Sequence, residues 1–83
     1  MNTYRTRGVC SRSITFDVAE DGTLHNVSFE GGCNGNLQGI GKLVEGMEID
    51  DAIERLSGIQ CGWKDTSCPD QLAQALILYK EEH

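Results

Sequence analysis

Four cysteines, Cys10, Cys33, Cys61 and Cys68, are spread through an 83-residue chain. A thiolate is both a nucleophile and a soft metal ligand, so the set offers three chemistries: metal binding, electron transfer and disulfide cross-linking. The gaps are wide, with 22 residues between Cys10 and Cys33, 27 between Cys33 and Cys61, and six between Cys61 and Cys68. This is not the paired CxxC spacing of a zinc ribbon, and spacing alone leaves the choice open. Context favours a metal. Gly8 precedes Cys10, Gly31 and Gly32 precede Cys33, Gly62 follows Cys61, and Pro69 follows Cys68 at an expected helix start. Glycine bends and helix N-termini offer backbone N–H groups to sulfur. The expected site is four-thiolate and tetrahedral, with Cys10, Cys33, Cys61 and Cys68 as ligands, zinc as the metal and iron as the second choice. One buried cysteine is ordinarily just a small apolar residue. Four at element boundaries, none within an apolar stripe, are harder to read that way. The redox alternative uses two of them: Cys68, activated at the helix start, attacks a disulfide and Cys61 resolves the intermediate.

Other candidates are weaker. Gly41-Lys42 suggests a phosphate loop, but Asn36 stands where its first glycine belongs and Leu43 replaces the Ser/Thr. His25 is a possible ligand or base, although a histidine on a strand is more often a satisfied core or edge residue. Trp63, between Cys61 and Cys68, is expected as a lid over the thiols; an exposed indole there would instead mark a partner surface. Asp65 and Asp70 flank Cys68 and suit capping better than acid–base catalysis. No independent catalysis is expected.

The net charge of −6 gives no basic face for a phosphate backbone, so nucleic acid is excluded as a partner, Arg5, Arg7 and Arg12 notwithstanding. The N-terminus lacks the apolar stretch of a signal peptide, and the run Leu76–Tyr79 is far too short to span a bilayer. A cytoplasmic protein with no membrane contact is therefore expected, where thiols stay reduced and a four-cysteine set reads as metal-binding or redox-active before it reads as disulfides. One domain, residues 1–83, suits this length, and a core so small needs a staple, a protein partner or a homodimer.

The elements that must position the thiols follow from periodicity. Ile14, Phe16 and Val18 alternate with Ser13, Thr15 and Asp17, which predicts a strand over 12–18. Glu20-Asp21-Gly22 supplies a turn. A second strand over 23–29 should face His25, Val27 and Phe29 one way. Residues 2–7 are a candidate third strand. Leu37, Ile40, Leu43 and Val44 predict a first helix, with Gly39 and Gly41 either weakening it or allowing close approach to the sheet. Ile49, Ala52, Ile53 and Leu56 line a second helix over 48–57, with Gly58 and Ile59 suited to a Schellman ending. Leu72, Ala75, Leu76 and Tyr79 line a third. There, Pro69 takes the first helical position, Cys68 the N-cap, and Gln71 the partner position of a capping box. The expected fold class is α+β, an antiparallel β-hairpin, with that third strand as an addition, and three helices on one face, in the order ββααα.

Thr66-Ser67-Cys68-Pro69-Asp70, at the start of that third helix, is similar to the motif of the TSCPD domain family. Gly32-Cys33-Asn34-Gly35-Asn36, the segment Leu56–Gly62 and Asp70-Gln71-Leu72-Ala73 resemble it too, so the likeness runs from about Cys10 to Tyr79. The chain looks most like the short stand-alone members; related domains lie at the C-terminus of some ribonucleotide reductases, including cobalamin-dependent ones. The resemblance implies that the four cysteines act as a set on a metal, and it implies a link to deoxyribonucleotide synthesis. A thiol relay or a nucleotide-binding accessory module for ribonucleoside-diphosphate reductase is the alternative it suggests. A chain of this length cannot hold the barrel, radical cysteine and allosteric sites of a reductase.

Overall fold

The computed structural model describes residues 2–9, 11–32 and 34–82. Its elements run β1 (Asn2–Arg5), β2 (Ser11–Val18), β3 (Leu24–Gly31), α1 (Asn34–Val44), α2 (Ile49–Leu56) and α3 (Cys68–Glu82). The candidate third strand is therefore present, at the N-terminal edge, and the order is βββααα. The sheet is antiparallel in the order β1-β2-β3. Tyr4 stands opposite Ile14, and Ile14 opposite Phe29.

Alternation places Ile14 and Phe16 on the buried face, as expected from β2. Two bulges then depart from simple alternation. In β3, Asn26 takes a left-handed backbone (φ 56°) as an extra residue between the pairs Thr15–Ser28 and Asp17–His25. This single residue reverses the pattern below it. Leu24 becomes fully buried, opposite Val18, and His25 leaves the face shared by Val27 and Phe29. The expectation that His25 shares that face is corrected accordingly. In β2, the step from Ser11–Gly31 to Ser13–Glu30 leaves Arg12 as the extra residue, and Ser11 turns inward to be buried.

The β2–β3 turn is as the sequence indicates. Gly22 has φ 83°, its N–H donates to the Ala19 carbonyl (2.9 Å), and Asp21 Oδ1 accepts the Thr23 N–H and hydroxyl. The residues linking α1 to α2 then lie along this turn. Leu24 N–H donates to Met47 O (2.8 Å), Gly46 N–H to Leu24 O (2.7 Å) and Ile49 N–H to Gly22 O (3.0 Å). The linker is thus pinned to the hairpin, which fixes where α2 begins.

Helix α1 packs on β3, α3 on β2, and α2 on α3. Gly41 allows the first of these. A Cβ there would sit 2.8 Å from the Val27 carbonyl oxygen, whereas Gly39 faces open space. Helix α1 begins three residues earlier than its apolar stripe, and Leu43, expected in that stripe, is exposed. Ile14, Phe16, Leu24, Val44, Ala52, Leu72, Ala75 and Leu76 form the core, with Tyr79 edge-on to Phe16 at 6.1 Å. Lys80 pairs with Asp50 across α3 and α2. No helix among the described residues is long and apolar enough to cross a membrane.

Candidate functional site

The residues Thr66 to Gln71 tie three remote parts of the chain together, and each side chain acts differently. Ser67 is the cap of α3. Its hydroxyl accepts the Asp70 N–H (3.2 Å) and donates to the Ile59 carbonyl (2.6 Å), while its own carbonyl accepts the first helical bond from Gln71 N–H (2.8 Å). Cys68 and Pro69 are therefore the first two residues of the helix, and the expectation of Cys68 as N-cap is corrected by one position. A serine hydroxyl is the better acceptor for an orphan N–H, and Pro69 still sits where no amide proton is needed.

Asp70 is the hub. Its Oδ1 accepts the Gly58 N–H (2.7 Å), and its Oδ2 accepts the Thr66 hydroxyl (2.5 Å) and the Gln74 amide (2.8 Å). Burial pushes this carboxyl up, but the bonds from Thr66, Gly58 and Gln74 together outweigh it and hold the group below the usual carboxylate range. Gly58 has φ 83°, yet its N–H goes to Asp70 rather than back along α2, so the expected Schellman ending is replaced by a long-range tie. Gln71 is buried and reaches the other way: Nε2 donates to Thr66 Oγ1 (3.0 Å), and Oε1 accepts the backbone N–H of Arg7 (3.0 Å). It is a bridge to the N-terminal segment, not the partner of a capping box.

This knot positions the thiols. Cys68 is buried, 7 % exposed, with Sγ 3.1 Å from the Ser11 hydroxyl. Ser11 is in turn the register partner of Gly31. The residue that follows Cys10 in sequence thus touches Cys68 and pairs with a residue two before Cys33. Cys10 and Cys33 themselves lie outside the described residues. Cys61 is exposed, on a turn where its N–H donates to Thr66 O (3.2 Å) and its carbonyl accepts Lys64 N–H (3.0 Å). Among the described residues, no three His, Cys, Asp or Glu side chains are grouped to hold a metal. The accessible thiol is Cys61 and the sheltered one Cys68. Trp63, expected as a lid, is 97 % exposed and covers nothing.

His25 is accounted for away from this corner. Its Nδ1 lies 2.5 Å from Glu45 Oε2 and its Nε2 2.8 Å from Thr23 Oγ1. The Asn26 N–H and then His25 hold the Glu45 carboxyl below its ordinary range. This cluster clamps the end of α1 to the hairpin.

A family model, the TSCPD domain, matches residues 2–80. The chain belongs to the TSCPD domain family. Comparison with curated proteins and with solved structures finds no match. Within this TSCPD chain, four of the five motif residues make contacts that explain their presence. Thr66 relays a bond from Gln71 to Asp70, Ser67 caps, Cys68 meets Ser11, and Asp70 gathers three donors. Sequence reasoning missed Ser11 and the Arg7–Gln71 tie. Ser11 is hidden by a bulge that alternation cannot foresee. A signal for Asp70 existed, since Ser67 and Asp70 stand at the spacing of an N-cap and the third helical residue.

Proposed function

We propose that this TSCPD chain is a metal-binding module in which Cys10, Cys33, Cys61 and Cys68 hold one zinc ion, with a structural role in presenting a surface to a partner protein. The observation that carries this reading is the contact of Ser11 with Cys68, together with the Ser11–Gly31 pairing. It brings Ser11, Gly31 and Cys68 to one corner, and the Cys61–Thr66 backbone bond ties the turn of Cys61 to the same helix start. The donor set fits zinc: four soft thiols, one of them buried at a helix N-terminus beside a serine hydroxyl. Bound metal would supply charge to hold the four sulfurs together. The chain supplies the Ser11 hydroxyl beside Cys68 and the Asp70 knot that holds the turn.

The test is metal analysis of protein purified without chelator. About one zinc per chain is expected, with loss of metal and of thermal stability in Cys68→Ser, because binding free energy is folding free energy in small metal domains. Metal-free, folded protein with an unchanged melting temperature in that variant would defeat the reading.

A second reading is favoured by the contrast in burial between Cys61 and Cys68. In a thiol relay, the Cys61 thiolate attacks a partner's disulfide and Cys68 displaces the resulting mixed disulfide. The partner leaves with two thiols, and the chain keeps a Cys61–Cys68 disulfide. The partner class that the family resemblance suggests is a ribonucleotide reductase. One titratable disulfide in metal-free protein would support the relay. A titration with ATP and dATP, with no chemical-shift change, would end the accessory nucleotide-binding alternative.

A further inference from the structure

The chain's single tryptophan is held in water by a backbone that is not loose. Lys64 N–H to Cys61 O and Cys61 N–H to Thr66 O close the turn that carries it, and the Ser67 hydroxyl anchors the preceding Ile59. The indole therefore stands displayed on a fixed support. It borders an open, shallow cleft that Arg7, Lys64, Asp65, Gln71 and Gln74 also line. Gln71, buried and bonded to Thr66 and Arg7, forms the floor, with the exposed Gln74, bonded to Asp70, beside it.

The charge here runs against the rest of the protein. The chain has 13 acidic and 7 basic residues. Among the described residues, the ion pairs are Arg12–Glu30, His25–Glu45 and Lys80–Asp50, and neither Arg7 nor Lys64 belongs to one. Both side chains are exposed. Beside the indole, Asp65 is the only carboxylate among the described residues of the cleft lining.

We propose that this surface docks an acidic segment of a partner protein, with an apolar side chain of that segment against Trp63 and carboxylates on Arg7 and Lys64. Tryptophan and arginine dominate the energetics of protein interfaces, and unneutralised cations steer a complementary acidic partner. The openness of the cleft argues against a small molecule, which needs most of its surface enclosed. The docked partner would lie on the same turn as the exposed Cys61. The proposal stands on these residues alone and does not need a metal.

The probe is a short synthetic peptide with a leucine–phenylalanine centre flanked by glutamates and aspartates, set against the same peptide with lysines in their place. Trp63 is its own reporter. The acidic peptide should give a saturable blue shift of the indole emission that weakens as salt is added. The double variant Arg7→Glu/Lys64→Glu should bind at least about tenfold more weakly. Its circular dichroism and melting should match the parent, because both side chains are exposed and only the Arg7 backbone is used in the fold. Three results would overturn the proposal: no shift at millimolar acidic peptide, an equal response to the lysine peptide, or unchanged affinity in the double variant. A saturable shift with ATP that the acidic peptide does not displace would also overturn it, by making the cleft a small-anion site.

Discussion

Replacing Asp70 tests the physical core of the site. The carboxylate receives the Gly58 N–H, the Thr66 hydroxyl and the Gln74 amide. Asp70→Ala strands these donors unequally. Gln74 is exposed, and water replaces its partner at little cost. The Thr66 hydroxyl can turn towards the Ser67 carbonyl, 3.4 Å away, for a weaker bond. The Gly58 N–H, on an exposed residue, loses its charged acceptor and turns to water instead. A hydrogen bond to a charged group is worth about 1.5–3 kcal/mol, so a total loss of roughly 2–4 kcal/mol is expected. At about 4–8 °C per kcal/mol for a domain of this size, the melting temperature should fall by roughly 8–32 °C. Asp70→Asn keeps one acceptor oxygen but turns an amide towards donors, and should cost about 1–3 kcal/mol. The pH dependence carries the sign. The folded carboxyl lies below its ordinary value of 3.8. Its contribution is therefore complete above the unfolded value and is lost as pH falls through the folded one. The stability gap between parent and Asp70→Asn should be constant above about pH 5 and narrow below about pH 4. Comparing the parent with this variant cancels the other acids Asp17, Asp21 and Glu45, which shift the same way. Chemical denaturation across pH supplies the measurement. An Asp70→Ala protein within about 0.5 kcal/mol of the parent, or a gap that widens in acid, would refute the hub.

Two further pairs of variants separate close packing from exposure. Gly41→Ala sets a methyl 2.8 Å from the Val27 oxygen and should destabilise by about 1–2 kcal/mol net, strain exceeding the gain in helix propensity; Gly39→Ala, in open space, should stabilise by up to about 1 kcal/mol. Leu76→Ala, at a fully buried position, should cost about 2–5 kcal/mol, and the half-exposed Leu78→Ala about 1 kcal/mol or less, both read from urea midpoints.

Much of the fold was legible because its signals are local. The alternation around Ile14, Phe16 and Val18, the turn at Gly22, and the stripes of α2 and α3 each follow from the spacing of a few residues. What stayed hidden depends on single-residue insertions and on distant partners. The bulge at Asn26 exchanges Leu24 for His25 in the core, and the one at Arg12 buries Ser11; neither changes composition or period over a window wide enough to notice. The cap moved from Cys68 to Ser67 because the serine hydroxyl has two uses, one of them eight residues away at Ile59. Trp63 reads as a lid from its place between two cysteines, but a turn closed by its own backbone gives the indole nothing to fold onto. The place of Cys68 at a helix start was readable, whereas Cys61 lies on a turn within the α2–α3 loop and not at an element boundary. Their opposite exposure was not readable, since it depends on which strand arrives beside α3.

The bond from the Arg7 N–H to Gln71 spans 64 residues, and that from Ser11 to Cys68 spans 57. A ribosome releases Arg7 and Ser11 long before their mates emerge. The hairpin and α1 use neighbouring stretches and can settle while translation continues, but the thiol-bearing corner can close only when α3 has been made. The Ser11–Cys68 and Arg7–Gln71 contacts are therefore a property of finished molecules alone, and a nascent or truncated copy lacks them.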